Sequence, residues 1–164
     1  MRVPIRRAEK NNQVKIDFHL TENKYLELKN KLEKLKNKRP ELSAEVQRLA
    51  LMGDFSENAG YQLAKGRLRG LNQKILDTEN LLKNAEIIRP NRNGRVELGS
   101  RVTISLNEKI KTYQILGSCE TNPSAGIISH NSPLGEALIG RQKEEIFKVK
   151  LGEKTYQCQI LKIE

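Results

Sequence analysis

The chain has 164 residues, with 30 Lys and Arg against 20 Asp and Glu, and a formal net charge of +10 at pH 7. This length limits it to one or two small domains, and the charge favours nucleic acid or a nucleoprotein assembly as partner. The chain has no apolar run of about 18 residues and no signal-peptide core near its start, so we expect a cytoplasmic protein with no membrane partner.

Residues 1–19 are predicted to be a basic N-terminal extension, because their charges follow neither a helical nor a strand period. Such a composition is typical of a partly disordered tail or of an added contact with a macromolecular partner. The sequence leaves both interpretations open.

Residues 20–89 contain two heptad runs, which predict two long helices. In the first run, which ends at about Met52, the residues that recur every seven positions are Leu28, Leu35, Leu42 and Leu49. In the second run, from Asn58 to about Ile88, they are Tyr61, Leu68, Ile75 and Leu82. Two such helices with a short break between them should form an antiparallel coiled-coil hairpin, with residues 53–58 at its tip.

Residues 90–164 are predicted to be a small α+β domain with an antiparallel sheet. Apolar residues alternate with polar ones at 102–106, 113–115, 147–151 and 155–163, which is typical of strands, and the last run slips in phase near its end. Ser132 as an N-cap and Pro133 in the first turn predict one short helix between the second and third of these strands.

Cysteine and histidine usage argues against zinc sites and disulfide scaffolds. Cys119 and Cys158 form no C-x-x-C motif, and His19 and His130 are far apart in the sequence. We therefore expect a structural or surface role for His130, and a reducing compartment for the protein.

The predicted tip places two carboxylates, Asp54 and Glu57, three residues apart at the end of a thin arm. In one interpretation Asp54 or Ser56 caps the second helix and Glu57 lies in its first turn. In the other, two hard oxygen ligands complete a Mg²⁺ site whose remaining ligands belong to a partner. Spacing alone does not choose between them. Phe55, Ser56 and Asn58 are interpreted as support for the tip, through helix capping and closure over the helix ends.

A basic stretch follows the tip. No acid occurs between Glu57 and Asp77, whereas four basic residues predict a positive flank on the second helix: Lys65, Arg67, Arg69 and Lys74. Most such runs are solvated helix faces, but basic side chains at this place would also neutralise RNA phosphates.

The tip sequence GDFSENAGYQLAK resembles the signature of the bacterial Gre transcript-cleavage factors, GreA and GreB. A second block, IISHNSPLGEALIG at residues 127–140, is similar to another motif of that family. The two motifs occur in this chain in the same order as in the family. The resemblance covers almost the whole chain. It implies that residues 90–164 are an FKBP-like domain that docks on RNA polymerase.

The resemblance also implies a mechanism. Members of this family insert the coiled coil into the secondary channel of RNA polymerase and stimulate Mg²⁺-dependent cleavage of backtracked nascent RNA. Asp54 and Glu57 would be the catalytic and metal-binding residues, and Lys65, Arg67 and Arg69 would bind RNA near its 3′ end. The protein would then activate hydrolysis by the polymerase and would not itself be an enzyme.

Two alternatives to this mechanism remain. A Gre-like channel occupant that inhibits polymerase would be expected to have altered tip acids, whereas the D-x-x-E spacing is intact here. A basic coiled-coil RNA-binding protein is suggested by charge alone. A prolyl isomerase is not expected, because the aromatic residues of residues 90–164 suit a core: Tyr113, Phe147 and Tyr156.

Overall fold

The computed structural model describes residues 17–52, 59–89 and 93–164. Its elements, in chain order, are β1 (His19–Leu20), α1 (Glu22–Ala50), α2 (Ala59–Lys83), β2 (Glu86–Ile87), β3 (Arg101–Leu106), β4 (Lys109–Leu116), β5 (Ile127–Ser129), α3 (Pro133–Leu138), β6 (Ile146–Leu151) and β7 (Lys154–Ile163). A helical N-terminal part and a C-terminal sheet domain confirm the predicted α+β class. Most of the predicted N-terminal extension lies outside the described residues, and none of the described helices is long and apolar enough to cross a membrane.

Helices α1 and α2 form the predicted antiparallel hairpin. Thr21 caps α1 by accepting a hydrogen bond from the amide of Lys24. Lys36 pairs with Glu79 at 2.7 Å, while Glu45 lies 3.9 Å from Arg67, so residue numbers rise along one helix as they fall along the other. The seam between the helices buries Leu28, Ala64, Leu71 and Ile75. With 29 residues, α1 is about 43 Å long.

The second helix ends earlier than predicted. Helix α2 stops at Lys83, whereas the heptad pattern extends to about Ile88. The chain leaves the helix because the backbone of Glu86 donates to Phe18, and that of Ile88 donates to Leu20. These bonds pair β2 with β1 in parallel, an interaction between residues far apart in sequence that a local period does not reveal.

The C-terminal sheet has the strand order β5-β4-β3-β7-β6. The β3–β4, β3–β7 and β6–β7 pairs are antiparallel, as predicted, but the unpredicted edge strand β5 pairs with β4 in parallel. The predicted phase slip is confirmed: Thr103 pairs with Lys162 and Ile104 pairs with Ile160, so Leu161 is the extra residue of a β-bulge.

One hydrophobic core lies beneath α3. Phe147 is buried in it, and Tyr113 and Tyr156 pack against it, as expected for core aromatics. Ser132 caps α3, as predicted, by accepting a hydrogen bond from the amide of Gly135. A Cβ atom at Gly135 would lie 2.1 Å from the carbonyl oxygen of Ser129, so only glycine permits this close approach of α3 to the end of β5.

Candidate functional site

The predicted tip lies outside the described residues. Helix α1 ends at Ala50 and α2 begins at Ala59, so the intervening stretch joins two helix ends that the packing of the hairpin brings together. The roles of Asp54 and Glu57 as ligands and of Phe55, Ser56 and Asn58 as tip support therefore stay predictions. Beside this stretch, Leu51 and Met52 are 89% and 67% exposed, which leaves an apolar surface at the end of α1.

The basic stretch does not form a single flank. Residues three or four apart share a face of a helix, so Lys65 and Arg69 lie together, whereas Arg67 lies on the opposite side of α2. The guanidinium of Arg67 is 3.9 Å from a carboxylate oxygen of Glu45 and thus faces α1. The predicted flank of four positive charges is corrected to two narrower ones, because successive helical residues are about 100° apart.

Lys65 and Arg69 border an open groove of about 580 Å³ on the exposed side of α2. The ammonium of Lys65 lies 5.7 Å from the centre of the Tyr61 ring, a cation–π distance that directs the side chain toward the tip end of the helix. Gly66 adds no side chain to this surface, and Asn72 and Gln73 supply polar groups along it. The groove therefore offers two cations and several amide groups to a polyanion.

The C-terminal domain carries a second exposed feature on its sheet. Ile110 and Ile146 are 68% and 58% exposed, although each belongs to a regular strand. Ile146 borders a groove of about 510 Å³ whose other walls come from β3, the β3–β4 turn and β7. These two isoleucines are exposed apolar side chains on an otherwise polar part of the sheet surface.

Sequence reasoning missed a cluster at the junction of the hairpin and the C-terminal domain. His19 and His130 are not scattered in space: their ring centres are 5.4 Å apart. Between them lies the carboxylate of Asp17, whose Oδ1 is 2.8 Å from Nδ1 of His19 and whose Oδ2 is 3.4 Å from Nδ1 of His130. No local pattern could have revealed this cluster, because more than a hundred residues of chain separate His130 from Asp17 and His19.

Asp17 is held as a carboxylate in this cluster. Its side chain is only 3% exposed, and Oδ2 accepts a hydrogen bond from the amide of Ser118 at 2.6 Å. Burial raises the pKa of Asp17, but hydrogen bonds from Ser118 and His19 outweigh burial and lower the pKa from 3.8 to about 2. Asp17 therefore remains ionised at neutral pH.

Glu120 provides a second anchor at the same junction. Its carboxylate accepts hydrogen bonds from the amide and the hydroxyl of Thr21, at 2.6 and 2.7 Å. Thr21 is also the N-cap of α1. The start of the hairpin is thus bound to the C-terminal domain by charge-assisted hydrogen bonds, which are stronger than neutral ones.

Comparison with known proteins finds one family over nearly the whole chain. The family model described as "Transcription elongation factor, N-terminal" matches residues 18–87, and "Transcription elongation factor, GreA/GreB, C-term" matches residues 91–164. Transcription elongation factor GreA of Thermomicrobium roseum is 37% identical over 79% of this chain and 85% of its own length. That of Nitratiruptor sp. is 32% identical over 88% of this chain and 91% of its own.

Among solved structures, GreA factor homolog 1 (Gfh1) of Thermus thermophilus is similar. It is 23% identical and matches 89% of this chain and 97% of its own, with a TM-score of 0.42.

Proposed function

Because the chain belongs to the GreA/GreB family of transcription elongation factors, we propose that it binds RNA polymerase and stimulates Mg²⁺-dependent cleavage of backtracked nascent RNA. It would act in the cytoplasm by inserting its hairpin into the secondary channel. The observation that carries this proposal is the D-x-x-E pair between two helices that pack as one antiparallel hairpin.

The donor set at the tip fits Mg²⁺. Asp54 and Glu57 supply hard carboxylate oxygens, which this ion prefers, but two side chains cannot fill an octahedral shell. The polymerase would supply the remaining ligands, so the chain itself has no complete active site. When bound, Mg²⁺ can activate a water molecule and stabilise the leaving oxygen in phosphodiester hydrolysis. The part of this chain is to deliver and orient the two carboxylates.

The hairpin also supplies positive charge behind the tip. Lys65 and Arg69 share one exposed face of α2, about two and three helical turns from its start, and can contact phosphates of the extruded RNA 3′ end. Arg67 is less suited to this role because it faces Glu45 across the hairpin. We therefore assign phosphate binding mainly to Lys65 and Arg69.

The C-terminal domain would dock on the polymerase. The exposed Ile110 and Ile146 offer apolar contact area on the sheet, and the Thr21–Glu120 bonds connect the C-terminal domain to the root of α1. A docked domain would hold the hairpin in position and reduce the entropic cost of placing the tip.

Transcript cleavage by stalled, backtracked elongation complexes tests the proposal. The wild-type chain with Mg²⁺ should release short 3′ fragments from end-labelled RNA. Asp54→Ala and Glu57→Ala should each reduce the cleavage rate by roughly 100-fold or more, the loss typical of a group that stabilises transition-state charge. Asp77→Ala removes an exposed acid from the same hairpin and should leave the rate unchanged.

Polymerase binding measured on the same variants separates the remaining outcomes. Retained binding with lost cleavage supports the proposal. Slowed elongation without cleavage by the wild-type chain would identify an inhibitor instead. Tighter RNA binding by Asp54→Ala, with no dependence of any activity on polymerase, would identify a basic RNA-binding protein.

A further inference from the structure

The cluster of Asp17, His19 and His130 is not used by the proposed function. One donor atom from each residue can be chosen so that all three lie within 4.8 Å of one another. The two contacts to the carboxylate measure 2.8 and 3.4 Å. Zinc bonds to nitrogen and oxygen are about 2.0–2.1 Å long, so tetrahedral ligand atoms lie roughly 3.4 Å apart. Each histidine therefore contacts Asp17 at a distance close to this separation, with one contact to each oxygen of the carboxylate.

His130 provides a second, independent observation. Its Nδ1 is buried and has no hydrogen-bond partner among the described residues, and the nearest carboxylate oxygen, on Asp17, is 3.4 Å away. A buried polar atom without a partner costs free energy, so such atoms are rare in folded proteins. A metal ion between His130 and Asp17 would satisfy this nitrogen.

His19 has the surroundings of a metal ligand. While Nδ1 faces Asp17, Nε2 lies 3.2 Å from a carboxylate oxygen of Glu86. Histidines that bind metals commonly donate their other ring N–H to a carboxylate, which fixes the tautomer and orients the ring. Parallel pairing of β1 with β2 sets His19 opposite Glu86 and so maintains this contact.

We propose that Asp17, His19 and His130 form a site for a divalent transition-metal ion, for which Zn²⁺ is the best match, with Glu86 orienting His19. Two imidazoles and one carboxylate suit Zn²⁺, whereas Mg²⁺ prefers oxygen ligands only. Three protein ligands leave a fourth position for solvent. The carboxylates of Asp17 and Glu86 also balance the charge of the ion.

The site would fasten the hairpin to the C-terminal domain. Asp17 and His19 precede α1, whereas His130 follows β5. A bound ion would therefore link the root of the hairpin directly to the sheet, beside the hydrogen bonds between Thr21 and Glu120. It would add rigidity where the two parts of the chain meet.

Titration of the metal-stripped full chain with Zn²⁺ tests this site. Calorimetry should show one Zn²⁺ bound per chain, with no competition from excess Mg²⁺. The chain has 2 histidines, both in the cluster, so imidazole ¹⁵N spectra report on the site alone, and both Nδ1 signals should shift. At about 100-fold excess of Zn²⁺ over Kd, Tm should rise by about 5 °C or more. Absence of stoichiometric binding, or unchanged histidine signals, would overturn the proposal.

Variants of the chain test which residues bind Zn²⁺. His130→Ala should abolish it, and Glu86→Gln, at a side chain that is 71% exposed, should weaken it by roughly 10- to 100-fold without affecting folding. Cys119→Ser is the matched control, because this thiol lies 3.7 Å from the backbone oxygen of Asp17 but is not a proposed ligand. A second control, Asp54→Ala with Glu57→Ala, removes the tip acids. Loss of binding in either control, or full affinity in His130→Ala, would contradict the site, and full affinity in Glu86→Gln would contradict the orienting role of Glu86.

Discussion

The hairpin and the C-terminal domain are stabilised in different ways. Within the described part of the hairpin helices, the buried hydrophobic side chains are Leu28, Ala64, Leu71 and Ile75, a single thin seam. The C-terminal domain encloses a cluster of eleven buried residues between its sheet and α3. The hairpin thus leaves most of its surface free for charges and contacts with partners, and it depends on the domain for anchorage. Variants in the two regions should therefore differ in what they damage.

The largest effect on stability is expected in the domain core. Ile104 is fully buried at the centre of the sheet, and Ile104→Ala should destabilise the domain by about 3–4 kcal/mol, because it removes buried methyl groups and leaves a cavity. Denaturant unfolding followed by near-UV signals from the tyrosines measures the loss. A loss of unfolding free energy below about 1 kcal/mol would show that the side chains around Ile104 are loosely packed.

A buried residue of the hairpin seam should matter less. Leu71 is 7% exposed, and Leu71→Ala should cost about 2–3 kcal/mol, since a two-helix seam can close partly around the gap. Leu76 in the same helix is 50% exposed and serves as the control, with an expected change within about 0.5 kcal/mol. Unfolding of both variants can be followed by circular dichroism at 222 nm, which reports on the helices. Equal effects of the two substitutions would contradict the assigned seam.

The junction between the two regions should depend on pH through Asp17. Its pKa is lowered in the folded state, so its contribution is complete above pH 3.8 and is lost as pH falls toward about 2. With EDTA present to keep the site free of metal, the free energy of unfolding of Asp17→Asn should be about 2 kcal/mol lower than that of the wild type at pH 7. This difference should vanish near pH 2. Unfolding curves across this range measure it. A difference that is constant with pH would exclude the carboxylate as the cause.

The smallest expected effect is a gain in the stability of the hairpin. Gly66 lies inside α2, and a Cβ atom there would have no neighbour within 4 Å. Gly66→Ala should stabilise the helix by about 1 kcal/mol, because alanine has the higher helix propensity. Gly135→Ala, which would bring a Cβ atom to 2.1 Å from the Ser129 carbonyl oxygen, should instead destabilise the domain. Thermal melts of both variants check the opposite signs.

Local periods in the sequence were sufficient for the long elements. The heptads predicted α1 and most of α2, and the two-residue alternation predicted β3, β4, β6 and β7, including the phase slip at Leu161. Short elements formed by distant partners were missed. The β1–β2 pair and β5 contain only two or three residues per strand, so neither shows a period.

The sites were predictable to different degrees. The tip motif is contiguous, so its carboxylates could be recognised, although its geometry lies outside the described residues. Helical geometry alone separates Arg67 from Lys65 and Arg69. The contact between Arg67 and Glu45 was needed to show which of the two sides faces α1. The cluster around Asp17 could not be predicted, because it depends on the packing of the hairpin root against the domain.

The most direct test of the central claim is the Mg²⁺ dependence of transcript cleavage by the near-isosteric variants Asp54→Asn and Glu57→Gln. If the two carboxylates are metal ligands, both variants should require more Mg²⁺ for half-maximal cleavage, and high Mg²⁺ should partly restore the rate. Asp77→Asn should behave as the wild type. A reduced maximal rate with an unchanged Mg²⁺ requirement would contradict a ligand role, and full activity would contradict any role of the tip acids in cleavage.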